Sequence, residues 1–138
     1  MTAPRRIEAL EQEAGDLLKK LGYEPVIVSS FVRTCRHIVF HLTACKKLDD
    51  GSVDSLMVKL KVSLHPIATL SDAAEFCREE IASMKKFFAQ VPPEEKRGRF
   101  EVWISIPLNR FQQFEITREG IREIRSPADR PGFSGGRP

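Results

Sequence analysis

The sequence predicts a single α/β domain in which two amphipathic helices cover a mixed sheet. Three observations predict it. Apolar residues recur at three- and four-residue steps in two segments, near positions 7–21 and 71–89. Elsewhere, short β-branched runs alternate apolar and polar positions, as half-buried strands do. The segments follow the order α-β-β-β-α-β-β within 138 residues, which is room for one domain and no internal repeat.

The first helix carries Ile7, Leu10, Ala14, Leu17, Leu18 and Leu21 on one stripe. Acidic residues lead and Lys19 and Lys20 close, which suits the helix dipole, and Gly22 supplies the stop. Strands are expected over Tyr23–Ser29, within Phe31–Leu48, and over Val53–Ser63. Asp49-Asp50-Gly51-Ser52 is a turn signal that makes the last two a hairpin. In the returning strand, Leu56, Val58, Leu60 and Val62 share one face, and Met57, Lys59 and Lys61 share the other.

His65-Pro66 breaks that strand. Ser71 is the expected N-cap of a second helix running to about Ala89, with Ala74, Cys77, Ile81, Met84 and Phe88 on its buried stripe. Val91-Pro92-Pro93 ends it, and Glu94–Arg99 reads as a solvated charged loop. Phe100–Ile106 alternates as a strand, Phe111–Ile116 pairs with it, and Gly120 allows a further turn before Ile121–Ile124. The domain is expected to span 1–125. The Pro/Gly-rich segment 126–138 is expected to be a disordered tail.

Composition narrows function only a little. A net charge of +3 permits nucleic-acid binding without requiring it. Cys35, Cys45 and Cys77 show no C-x-x-C spacing, so neither a zinc site nor a disulfide framework is expected. No apolar run approaches membrane-spanning length and no secretory h-region follows Met1–Arg6, so a cytoplasmic location without membrane contact is expected.

The element order resembles that of the restriction-endonuclease-like, or PD-(D/E)xK, nucleases. The local sequence is most similar to the archaeal Holliday-junction resolvase branch. Glu11-Gln12-Glu13 with Leu17-Leu18 and Leu21-Gly22-Tyr23 resembles that branch's first helix. Arg36-His37-Ile38-Val39 falls where the family has Pro-Asp and two aliphatics. Leu56-Met57-Val58-Lys59-Leu60-Lys61-Val62 falls where it has an apolar run and Glu-x-Lys. The resemblance covers most of residues 7–124.

Such nucleases hold divalent metal between the motif Asp and Glu, because hard cations bind carboxylate oxygens. By this resemblance Glu11 matches the helix acid and Lys61 the motif Lys, while His37 stands for the Asp and Lys59 for the Glu. The two departures are the two metal ligands. A Lys–cation repulsion on the order of 4 kcal/mol at contact distance opposes metal binding. The chain is therefore expected to be a catalytically inactive nuclease-fold protein that binds nucleic acid or another protein, with no metal and no small-molecule cofactor.

Two alternatives stand beside that reading. One is an active, structure-specific DNA endonuclease with a rearranged site, which would use magnesium. Asp54 could serve there only poorly, because it lies about 16 Å along the strand from Lys59 and on the opposite face. The other is a structural subunit that binds no nucleic acid. DNA and a second copy of the chain are the expected partners, the homodimer being implied by the resolvase resemblance.

Arg33, Arg36, Lys59 and Lys61, with Lys46 on the neighbouring strand, are candidate phosphate contacts; a merely solvated strand face is an equally simple account. His37 and His41 share a strand face, but no third metal ligand is evident, and hydrogen-bonded sheet histidines explain them more simply. A metal-free His–Lys acid–base pair is a further reading. Trp103, the single tryptophan, reads as a packing residue before a base-stacking one.

Overall fold

A computed structural model of the chain describes residues 7–28, 40–92 and 98–130. Helix α1 (Ile7–Lys20) leads into β1 (Glu24–Ile27), β2 (Leu42–Lys47) and β3 (Val53–Val62). Helices α2 (Leu70–Phe76) and α3 (Arg78–Gln90) follow, then β4 (Arg99–Ile106), β5 (Arg110–Thr117) and β6 (Gly120–Ile124). The six strands form one sheet in chain order. Every neighbouring pair is antiparallel except β3 and β4, whose parallel pairing requires the α2–α3 crossover. The expected mixed sheet flanked by helices is what the chain forms.

Helix α1 ends where the sequence indicates. Gly22 adopts φ 93°, a left-handed conformation that side chains disfavour. That lets the Gly22 and Tyr23 N–H groups reach back to the Lys19 and Leu18 carbonyls at 3.0 and 2.9 Å.

The sheet separates two apolar layers. Leu10, Ala14 and Leu18 of α1 pack on Leu42, Ala44, Leu56, Val58, Leu60 and Trp103. On the other face, Ala73 of α2, Met84 of α3 and Cys77 between them pack on Phe100, Val102, Ile104, Phe114 and Ile116. Each β3 side chain follows the predicted alternation, with Asp54, Leu56, Val58 and Leu60 buried on the α1 side.

Four local expectations change. The second helix is two, because the chain breaks at Cys77 (φ −104°, ψ 21°). Its N-cap is Thr69, whose hydroxyl accepts from the Asp72 N–H, and not Ser71. Arg99 is the first residue of β4 rather than part of a solvated loop; its side chain is only 13% exposed. Ser126–Arg130 is held, not disordered: Pro127–Asp129 forms a 3-10 turn and Arg130 is buried. Residues 131–138 lie outside the described residues. No helix among the described residues is long and apolar enough to cross a membrane.

Candidate functional site

The β2–β3 hairpin places the motif positions. Leu42 pairs with Val58, so His41, one step before β2, stands across from Lys59. The His41 N–H donates to the Val58 carbonyl (2.9 Å), and the Leu60 N–H donates to His41 Nδ1 (2.9 Å). An Nδ1 that accepts a backbone N–H carries no proton, so the ring is the neutral Nε2–H form. Its pKa is lowered, first by burial and next by the Lys59 charge; Glu11 from α1 pulls the other way. Glu11, buried on α1, and Lys59 thus each lie within electrostatic reach of His41.

Lys59 makes no hydrogen bond or ion pair among the described residues, and it is only half-buried. Lys61 is different. Its Nζ donates to the Phe76 carbonyl (2.7 Å) and to Glu80 (3.0 Å), and lies 4.7 Å from the centre of the Phe76 ring. Phe76 is the last residue of α2, whose terminal carbonyls lose their helical partners at the break. Lys61 therefore fills the gap between α2 and α3. Two of the three ammonium donors are thereby committed inside the fold, which leaves Lys61 less available to a phosphate than Lys59.

Lys46 also departs from expectation. It pairs with Asp54, which puts it on the α1 face, opposite to Lys59 and Lys61. There it donates to the Leu21 carbonyl (3.2 Å) and lies over the Tyr23 ring. Arg33, Arg36 and His37 lie outside the described residues. Within those residues the histidine across from Lys59 is His41.

No group of three His, Cys, Asp or Glu side chains among the described residues could hold a metal ion. Tyr23 and Arg99 Nη2 and Nε (2.8 and 3.0 Å) bind the Asp54 carboxylate on the far face of the sheet. His65 lies exposed in the loop after β3, remote from any second ligand pair.

A second polar cluster escaped the sequence reading. On the α1 side of β3–β5, Asp54, Glu101 and Glu115 meet Arg99, Arg122 and Arg130. Glu101 and Glu115 stand directly opposite across β4 and β5, a like-charge pairing that is unfavourable unless cations intervene. Arg99 intervenes, at 2.7 Å from Glu101 and 4.0 Å from Glu115. Burial disfavours the Arg99 cation, but the Asp54 hydrogen bond and the Glu101 charge outweigh that and hold it charged above the usual range. Burial, and then the hydrogen bond given to Asp54, raise the Tyr23 phenol far out of its normal range. Trp103 is a packing residue as expected, and its Nε1–H donates to Glu101 (2.8 Å).

A cleft of about 700 Å³ opens between the end of α3 and the β3–β5 strands. Its polar groups are in use. Arg118 donates to the Phe88 and Val91 carbonyls (2.8 and 2.7 Å) and closes the end of α3. Asp54 and Glu115 belong to the arginine cluster.

No family model matches this chain, and no curated protein matches it in sequence. Among solved structures it is similar to Hjc, a Holliday junction resolvase of Archaeoglobus fulgidus, at 13% identity. The match covers 86% of this chain and 88% of that one, with a TM-score of 0.44. At that score the likeness decides neither activity nor mechanism.

Proposed function

We propose that this chain is a nuclease-fold protein without metal-dependent hydrolysis, acting as a nucleic-acid-binding module with Lys59 as its phosphate contact. The observation that supports it is the His41–Lys59 pair. A neutral imidazole and an ammonium face each other across β2 and β3, and among the described residues the ammonium makes no hydrogen bond or ion pair. A solvent-reaching lysine without an internal partner keeps its charge available for a phosphate oxygen. Arg33 and Arg36 extend the proposed contact, and a homodimer is the proposed working unit. Lys61 drops out of it.

Binding of branched and linear DNA across a salt series tests the reading. Wild type should bind with a salt-dependent affinity, and Lys59→Ala should reduce the slope of log K against log salt by roughly 0.9, one phosphate contact. Magnesium or manganese should produce no cleavage. Metal-dependent cleavage, or affinity indifferent to salt and to Lys59, would overturn the proposal. Sedimentation of the free protein checks the homodimer.

A further inference from the structure

Arg130 is a charged side chain, 5% exposed, at the end of the segment that follows β6. Arg125, Ser126, Ala128 and Asp129 are all exposed. Local polar bonds shape the segment. The Asp129 carboxylate accepts from the Arg125 and Ser126 N–H groups (2.8 and 3.2 Å), and Arg122 donates to the Asp129 carbonyl (2.8 Å). Two guanidinium groups tie it to the sheet, that of Arg122 in β6 and that of Arg130, and the Arg130 contact is the buried one.

That guanidinium is received by a formed pocket. Glu101, fully buried, accepts at both oxygens: Oε1 from Arg130 Nη2 at 2.7 Å and Oε2 from Nε at 3.3 Å. Gln113 Oε1 accepts from Nη2 at 2.6 Å. The Trp103 ring lies 5.8 Å from Arg130 Cζ, within cation–π range. The Trp103 indole N–H also binds Glu101, which fixes the carboxylate for a planar, forked donor. A compact ammonium would not span the same acceptors.

We propose that Glu101, Gln113 and Trp103 form a guanidinium-binding pocket whose resident ligand is Arg130, making residues 125–130 a detachable latch. When the latch lifts, the pocket takes an arginine side chain from another peptide, including the same segment of a second copy. The geometry favours exchange because an incoming arginine replaces every bond that the departing one gives up, whereas an open pocket leaves Glu101 with Arg99 and Trp103 alone.

The test uses the full chain carrying Arg130→Ala, with Trp103 fluorescence as readout, since it is the only tryptophan. The variant should emit to the red of wild type. Methylguanidinium should reverse that shift saturably, and methylammonium at equal concentration should not. A folded variant with unchanged emission, or one rescued equally by both cations, overturns the proposal. Amide exchange of the wild-type protein decides independently if the variant fails to fold. The Arg125 and Ser126 amides should exchange faster than those of β4 and independently of denaturant, by local opening of the latch. Exchange of those amides only through global unfolding would overturn the latch.

Discussion

Two charged clusters lie on opposite faces of the same hairpin and strand, and they differ in how their charges are spent. On the α1 face, Asp54, Glu101 and Glu115 are matched by Arg99, Arg122 and Arg130 in a buried set. On the α2–α3 face, Lys61 binds Glu80 and a helix end, while Lys59, among the described residues, makes no hydrogen bond or ion pair beside a neutral histidine. Charge density therefore does not mark the functional candidate here; an uncommitted charge does. Burial explains the difference, because a charge withdrawn from water must be paired, and an exposed one need not be.

The largest effect should come from breaking the matched set. Glu101→Gln leaves Arg99 and Arg130 facing each other without the carboxylate that joins them, and should cost about 3 kcal/mol or more. Urea denaturation checks it. Lys61→Met keeps the aliphatic stem but strands the Glu80 carboxylate and the Phe76 carbonyl, at a cost of about 2 kcal/mol. Adding Glu80→Leu should return part of that loss, since the uncompensated charge goes with it. Lys59→Ala, by contrast, should change stability by less than about 0.5 kcal/mol while weakening nucleic-acid binding. A Lys59 variant as destabilised as the Lys61 variant would erase the contrast between the two lysines.

Periodicity made most of the fold legible. The α1 stripe, the β3 alternation and the Gly22 stop read directly because each repeats a local physical constraint. The break at Cys77 did not, since the helical pattern runs on through it and the interruption is stabilised by Lys61 from a strand distant in sequence. Glu101 and Arg99 were equally hidden. Alternation in β4 implies one solvated face, but α1 packs on Trp103 and Arg130 on Glu101, so both faces are buried. Which side chains pair is a property of strand order, and a polar residue in a strand announces only that it needs water or a partner. Of the candidate site, the hairpin was legible: the Asp49–Ser52 turn brings Leu42 opposite Val58, and so His41 opposite Lys59. His37, the motif position drawn from the resemblance, lies outside the described residues.

The smallest effect sharpens the same contrast through pH. His41 is held below its ordinary value near 6.5, by burial first and Lys59 second. The unfolded chain therefore takes up a proton at a higher pH than the folded one does. Stability contributed by the neutral ring is complete above pH 6.5 and is lost as pH falls from there through the lowered folded value. Protonation also costs the Leu60 hydrogen bond, because the charged ring has no acceptor nitrogen. His41→Asn retains an acceptor and removes the titration, so its stability should fall less steeply than that of wild type below pH 6.5. Lys59→Ala should flatten the profile in part, by removing the second cause of the depressed pKa. Denaturation midpoints of the three proteins across that range give the comparison. Parallel profiles would mean that His41 and Lys59 do not act on each other, and would leave Lys59 as an ordinary surface lysine with no claim to a phosphate.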